Sequence, residues 1–195
     1  MSESYIQLPP DSSGKKVRAI YNTITGTYEE VNQSKNIETV NPVYVATVYD
    51  STPSISKNHL TIWNGSTYYI RILKIIAGMY SSAVITGYAM RYDVFEALSV
   101  SGGSPIVICK LDPRDPDLPT GITAYTGATV NSLGRLLATF CLNPEETGST
   151  VFIDLTPPKP FVIPPKSGLT ILQYTATGAG TFTASVYFSV EMIRP

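Results

Sequence analysis

The sequence predicts an all-β protein, an antiparallel β-sandwich or jelly roll that follows an extended N-terminal arm with a hairpin. The clearest observation is a strict alternation of apolar and polar residues over positions 181–192, which indicates a half-buried strand. Shorter apolar runs recur upstream, and turns containing glycine or proline separate them about every ten residues. Many short strands with regularly spaced turns are typical of sandwiches and jelly rolls.

The first part of the chain differs from the rest in composition. Residues 1–43 are polar and carry many of the charges, whereas the strand pattern is dense over residues 44–195. Pro9 and Pro10 fix the backbone φ angle, which favours an extended entry rather than a packed element. We therefore predict an N-terminal arm over 1–43 and a separate sandwich domain over 44–195.

Within the arm, the segment VRAIYNTITGTYEEV predicts a β-hairpin. Its strands span 17–24 and 27–31, and Thr25-Gly26 supplies the turn. A hairpin of this size does not fold alone, so we expect it to lie on a partner, for instance by adding a strand to the edge of another chain's sheet. The side chains predicted to contact the partner are Tyr5, Leu8, Pro9, Pro10, Val17, Ala19 and Tyr21.

Strand signals dominate the second part of the chain, and helix signals are thin. One or two helical turns are predicted over 93–100, and the apolar spacing of 130–142 fits either a short helix or a strand. Neither segment changes the predicted fold class. The shorter predicted strands span 60–63, 67–76, 84–92, 106–111, 151–155, 161–163 and 169–174.

Composition limits the possible functions. Hydrophobic residues make up 43% of the chain and charged residues 15%, below the roughly 25% of charged residues in an average soluble domain. We therefore expect part of the surface to be buried against other chains. The net charge is −1, so the chain lacks the excess of positive charge that binds a phosphate backbone, which argues against nucleic acid as a partner.

The lack of a recognisable targeting signal and the low cysteine content predict synthesis in the cytoplasm. The sequence shows neither the pattern of a secretory signal nor an apolar segment of the roughly 20 residues that a membrane-spanning helix needs. We therefore expect synthesis in a cytoplasm and no membrane partner. Cys109 and Cys141 fit that compartment as reduced, small buried residues.

Few residues are of the types that carry catalysis or bind metals. His59 is the only histidine, and no nucleophile stands in a recognisable elbow near it, so we predict a strand-edge histidine with local hydrogen bonds. Zinc binding by His59, Cys109 and Cys141 would lack the usual close pairing of ligands. The segments SSGKK and GAGTF lack the strand-to-helix context of a phosphate loop. No cofactor, metal site or catalytic residue is therefore predicted.

Acidic residues crowd together only in the segment CKLDPRDPDLPTG, residues 109–121. Asp112, Asp115 and Asp117 alternate there with three prolines. Their spacing is not that of a calcium-binding EF-hand, and nothing indicates two carboxylates facing each other across a cleft, as in a glycosidase. Prolines that fix φ and aspartates that bond to their own backbone favour a rigid connection between strands, with calcium binding and catalysis as the alternatives.

Tyrosine is the other candidate for a functional surface. The chain has 13 tyrosines and one tryptophan. Tyrosine combines a large apolar ring with a polar tip, which suits a protein interface and also a sugar-binding face. Because no catalytic set accompanies the tyrosines, the interface is the favoured interpretation. The candidate interface residues are Tyr68, Tyr69, Tyr88, Tyr92 and Tyr125.

Four stretches, taken in order, resemble virion structural proteins of tailed bacteriophages. They are YIQLPPDSSGKKVR, HLTIWNGSTYYIRILKI, CKLDPRDPDLPTGITAYTGATV and the closing pair PFVIPPKSGLTILQY and SVYFSVE. In such chains an asparagine-glycine turn links early strands, an aspartate-proline loop runs into a threonine-glycine strand, and a proline-glycine turn precedes the last two strands. The resemblance covers most of the chain, and it rests on turns and strand patterns.

The resemblance implies a capsid decoration, or cement, protein on the outer shell rather than an enzyme. Such a protein bridges capsid subunits and binds the major capsid protein, and the resemblance also implies a homo-oligomer, a trimer, on the virion surface. It provides no catalytic residues to transfer. Modest contacts, summed over many copies, would stabilise the shell.

Two other functions stay open from the sequence. A receptor- or carbohydrate-binding module of the virion, in a head fibre or tail, would use exposed tyrosines. A glycosidase built on the acidic loop is the less favoured alternative.

Overall fold

The computed structural model describes residues 3–6, 17–22, 27–30, 42–80, 90–142, 149–154, 160–174 and 180–191. The described residues form strands, turns and bends, with no helix among them. Two antiparallel sheets pack together, which confirms the predicted all-β sandwich. The chain divides into two compact units, Met1–Val40 and Asn41–Pro195.

The N-terminal unit contains a small antiparallel sheet of three strands. They are β1 (Glu3–Ile6), β2 (Val17–Asn22) and β3 (Thr27–Glu30), with β2 in the centre. The pairing of β2 with β3, in which Tyr21 lies opposite Tyr28, is the predicted hairpin. The first strand was not predicted, and it pairs with the other side of β2. Leu8, Pro9 and Pro10 lie outside the described residues.

The second unit holds twelve of the described strands. In chain order they are β4 (Val43–Asp50), β5 (Asn58–Asn64), β6 (Tyr69–Tyr80), β7 (Met90–Ser101), β8 (Ser104–Ile106), β9 (Ile108–Lys110), β10 (Ile122–Thr126), β11 (Thr129–Leu142), β12 (Ser149–Asp154), β13 (Phe161–Ile163), β14 (Ser167–Gln173) and β15 (Thr181–Glu191).

The strands are shared between two sheets by a nested pairing. One sheet has the order β11-β7-β14-β5-β10-β8, and the other has the order β12-β6-β15-β4-β9, with β13 also paired to β6. The first strand of the unit thus pairs with the last, β5 with β14, β6 with β12 and β13, and β7 with β11. Nested antiparallel pairs that alternate between two sheets are the arrangement of a jelly roll.

The core lies between the two sheets and follows the predicted alternation as far as Phe188, after which Ser189 is buried in place of the predicted Val190. In β15, every second side chain from Phe182 to Phe188 is buried, whereas Thr183, Ser185 and Tyr187 between them are only partly buried. The register shifts between Tyr187 and Phe188. The largest fully buried side chains are Tyr44, Tyr92, Phe182, Phe188, Leu60, Ile62, Ile70, Ile72, Ile75, Met79, Met90 and Leu142.

Two predictions of local structure need correction. The helical turns predicted over 93–100 are wrong, because these residues continue β7, where pairing with β11 and β14 on both sides outweighs a weak local preference. The ambiguous segment 130–142 is a strand within β11. The single strand predicted over 106–111 is divided at Val107, so that β8 joins one sheet and β9 the other.

The prediction of buried cysteines is also wrong. Cys109 and Cys141 are both exposed free thiols. In β11, Phe140 and Leu142 are buried on either side of Cys141, and the period-two alternation of a strand therefore turns Cys141 outward. In β9, Ile108 packs against the core, and its neighbour Cys109 faces the opposite side.

Candidate functional site

The structure separates the five candidate tyrosines. Tyr92 is fully buried in the core, so its prediction as an interface residue is wrong; its strand position turns the ring toward the opposite sheet, onto Phe182. Tyr68, Tyr69 and Tyr125 are partly buried and retain some exposed surface. Tyr88 lies outside the described residues.

His59 belongs to a buried polar cluster rather than to a strand edge with local bonds. It lies in β5, an interior strand, and is fully buried. Its Nδ1 is 2.7 Å from Asp50 Oδ2 and its Nε2 is 2.8 Å from Gln173 Oε1, a residue 114 positions away. The register of β5 with β14 shifts beside His59, which allows His59 and Leu60 to be buried consecutively.

The charges around Asp50 hold this carboxylate in its ionised form. Lys57 Nζ donates a hydrogen bond to Asp50 at 2.9 Å, and the backbone N–H of Thr52 donates another at 2.9 Å. Burial acts to raise the pKa of Asp50, but these bonds and the neighbouring His59 outweigh burial, so that its pKa lies below the ordinary value. Burial lowers the pKa of His59, against the opposing effects of Gln173 and Asp50.

The surroundings of His59 fit a structural role. Its ring lies tilted beside Phe182 and meets Tyr92 in an edge-to-face arrangement, with centroid distances of 4.5 and 5.7 Å. Asp50 is on β4 of one sheet, and His59 and Gln173 are on β5 and β14 of the other, so the cluster joins the two sheets across the core. With no exposed surface, the imidazole cannot touch a substrate in this conformation.

The aspartate-proline loop is braced by its own charges. Arg114 pairs with Asp112 at 2.7 Å, and Lys110 Nζ lies 3.0 Å from Asp117 Oδ1. The bonds from Arg114 hold the pKa of Asp112 at about 2. Lys110 also donates to the carbonyl oxygen of Asp115. Among the described residues, no group of three or more histidine, cysteine or acidic side chains could hold a metal ion.

A second contact anchors the same loop to the sandwich. The hydroxyl of Tyr44, a buried residue of β4, donates to the carbonyl oxygen of Pro116 at 3.0 Å. The backbone N–H of Asp115 donates to the carbonyl of Asp112, which closes a turn. These bonds are those of a fixed connection, the interpretation that the sequence favoured.

Two exposed leucines of β11 form a surface that the sequence did not reveal. Leu133 and Leu136 are 41 and 50% exposed. They lie opposite Ala97 and Phe95, which are two positions apart on β7, so both leucines lie on the same face of the sheet. We call these two side chains the leucine surface. The sequence left open whether 130–142 is a helix or a strand, and the direction of each side chain depends on that choice.

The leucine surface lies at a sheet edge that is poorly suited to main-chain pairing. Strand β11 is the last strand of its sheet, and its register with β7 shifts four times between Val130 and Ala138. Such bulges disrupt the regular row of N–H and C=O groups that another strand would need. A partner at this edge would therefore bind through side chains.

The N-terminal contact residues occupy different positions in their sheet. Val17, Ala19 and Tyr21 lie in β2, which is already paired on both sides, so β2 cannot also add to another chain's sheet in this conformation. Tyr5 lies in β1, and β1 and β3 are the outer strands of the described sheet. Any addition to a partner's sheet would use one of these two edges.

Comparisons with known proteins found no match, whether with a family model, a curated protein or a solved structure. Within the described ranges, no helix is long and apolar enough to cross a membrane.

Proposed function

We propose that the protein is a non-enzymatic structural protein of a tailed-bacteriophage virion, a decoration protein that binds the outer shell and bridges capsid subunits. The observation that carries the proposal is the N-terminal unit, whose described residues form a sheet of three short strands of its own. A unit of only Met1–Val40 buries little apolar surface by itself and would be stabilised by a surface to lie on. The resemblance to phage virion proteins supplies the shell as that surface.

The first contact of this mechanism is with the major capsid protein. Strand β1 has one partner, β2, in the described sheet, and its other edge is available for a strand of the shell. Main-chain hydrogen bonds would supply affinity there, and side chains such as Tyr5 would supply fit. The remaining candidate contacts on β2 would act through their side chains only.

The second contact is between copies of the protein. The leucine surface gives each copy an apolar area at a bulged sheet edge, and burying it removes leucine side chains from water. The trimer follows from the resemblance alone. The site of action in this proposal is the capsid surface, after synthesis in the host cytoplasm.

The surroundings of the histidine and of the loop aspartates support a non-enzymatic role. The histidine has no exposed surface. Two of the three loop aspartates, Asp112 and Asp117, are engaged by Arg114 and Lys110. These side chains are buried or bonded to neighbouring residues, and we therefore propose that they stabilise the fold.

A truncated chain that begins at Asn41 tests the proposal. We expect it to keep the melting temperature of the sandwich and to lose binding to purified shells that lack the protein, whereas the full chain binds. A control chain with Val107→Ala, a change at an exposed position of the second unit, should bind as the full chain does. Equal shell binding by the truncated and full chains would contradict the proposal, and a much lower melting temperature would show that the unit belongs to the sandwich core.

A further inference from the structure

A groove of about 400 Å³ opens on the outer face of the sheet that contains β5 and β10. Trp63 lies opposite Thr123 and Tyr125 lies opposite Thr61, so the two aromatic rings stand on the same face as diagonal neighbours. Diagonal pairs on adjacent strands are roughly 7–8 Å apart, within reach of one ligand. The lining residues are Trp63, Val100, Ser101, Gly102, Gly103 and Tyr125.

The tryptophan is held in place by the turn that follows its strand. The N–H of Gly65 donates to the carbonyl of Gly121 at 2.8 Å, which ties this turn to the start of β10. A side chain at Gly65 would come within 2.9 Å of that carbonyl oxygen and 3.4 Å of Trp63 Nε1. The indole therefore packs beside bare backbone, and one wall of the groove is set before any ligand arrives.

The opposite wall consists of main chain. Gly102 and Gly103 have φ angles of 64° and 88°, in the region that favours glycine. A β-carbon at Gly103 would lie 2.9 Å from the Cα of Ala128. Gly102 and Gly103 therefore present peptide groups to the groove, beside Val100 and Ser101.

The polar tips of the aromatic rings are free to bond to a ligand. Among the described residues, neither the indole N–H of Trp63 nor the hydroxyl of Tyr125 has a hydrogen-bond partner. Both residues are partly buried, so their rings keep an accessible surface. None of the lining residues that the structure describes is a lysine, arginine, aspartate or glutamate.

We propose that this groove binds a neutral oligosaccharide. A sugar ring offers an apolar face of C–H groups for the aromatic rings and hydroxyls for the indole N–H, the phenol and the peptide groups. Phosphorylated or acidic ligands lack a cationic partner here, and a wholly apolar ligand would leave these polar groups unpaired. The volume is within the roughly 300–1,000 Å³ of small-ligand sites. The inference does not depend on the shell-binding proposal.

The experiment uses the full chain and the fluorescence of Trp63, the only tryptophan. The probes are maltohexaose, cellohexaose and chitohexaose, with sialyllactose as a charged probe, up to about 10 mM, which is tenfold above a Kd of about 1 mM. We expect at least one neutral probe to change the emission with saturation. Calorimetry on the same samples checks that the change reports binding.

Tyr125→Ala is the test variant, and it should weaken the binding of that probe at least tenfold. Tyr49→Ala is the matched control, because Tyr49 is an exposed tyrosine of the other sheet and its loss should leave the affinity unchanged. Should Tyr125→Ala fail to fold, Tyr125→Phe removes only the hydroxyl and should weaken binding about threefold. The inference is overturned if no neutral probe binds, if the Tyr125 variant that folds binds as tightly as the native chain, or if sialyllactose binds more tightly than every neutral probe.

Discussion

The imidazole of His59 and the carboxylate of Asp50 are joined by a hydrogen bond of 2.7 Å that connects one sheet of the sandwich to the other. Asp50 is 6% exposed and His59 is fully buried, so water contributes little to satisfying either group. A buried polar pair of this kind is costly to break, because the remaining partner loses its hydrogen bond in a medium that offers no replacement.

Asp50→Ala should lower the free energy of unfolding by about 3 kcal/mol, because it leaves the His59 N–H unpaired in the core. Urea denaturation followed by circular dichroism measures the change. Asp117→Ala is the control, since Asp117 is an exposed loop residue with one surface ion pair, and it should cost less than about 1 kcal/mol. Equal losses for the two variants would show that the buried cluster contributes no more to the free energy of unfolding than a surface ion pair.

The stability should fall as the pH is lowered from neutral. Burial places the pKa of folded His59 below the ordinary 6.5, so the unfolded chain takes up the proton first. The stabilisation is therefore complete above about pH 6.5 and is lost as the pH falls toward the folded pKa, with a slope of at most about 1.4 kcal/mol per pH unit. Urea unfolding at about pH 7.5, 6.5 and 5.5 tests this, and His59→Gln should flatten the profile.

Phe188→Ala should cost about 3–5 kcal/mol, because Phe188 is fully buried and stacks on Tyr44 with a centroid distance of 5.7 Å. Tyr49→Ala, at a position 63% exposed, is the control of similar size and should cost less than about 1 kcal/mol. Thermal and urea unfolding provide the comparison. A loss below about 1 kcal/mol for Phe188→Ala would mean that the side chain of Phe188 does not point into the core.

Both cysteines should react with a thiol reagent such as DTNB in the folded protein, because Cys109 and Cys141 are exposed and free. We expect two thiols per chain to be titrated without denaturant, the same number as in urea. Cys109→Ser and Cys141→Ser should each remove one thiol. Titration only after unfolding would contradict the exposed positions of these side chains.

The double variant Leu133→Asp, Leu136→Asp should dissociate the proposed oligomer, because charged side chains on the leucine surface cannot be buried without a partner charge. Analytical ultracentrifugation should then give the 21.2 kDa monomer in place of a larger species. Leu111→Asp, at an exposed leucine of the acidic loop, is the control and should leave the mass unchanged. A native chain that is already monomeric at micromolar concentration would count against self-association.

The sequence predicted the fold class because alternation is a local signal. In β15 the facing of Phe182, Val186 and Phe188 follows from the period of two alone. The pattern of β7 and β11 was obscured by the register shifts between them, since each extra residue breaks the alternation. The helical turns predicted over 93–100 came from that break.

The sites were harder to predict, because they depend on which strands become neighbours. Nothing near His59 in the sequence indicates Gln173, which the pairing of β5 with β14 brings to it. Likewise, Trp63 and Tyr125 are 62 positions apart, and only the register of β5 with β10 places them on one face. The aspartate-proline loop connects β9 with β10, and its prolines restrict the backbone locally, which is why a connection could be predicted here from the sequence.

The place of β4 in its sheet has a mechanical consequence. Any tension applied through the residues before Asn41 enters the sandwich at this strand, which is hydrogen-bonded to β15 along its length and to β9 on its other side. An outermost strand can separate from its sheet one hydrogen bond at a time. An interior strand separates only when the hydrogen bonds on both of its sides break together. A tether attached there would therefore load the two rows of hydrogen bonds in parallel, and the sandwich would resist pulling through this end more strongly than its modest size suggests.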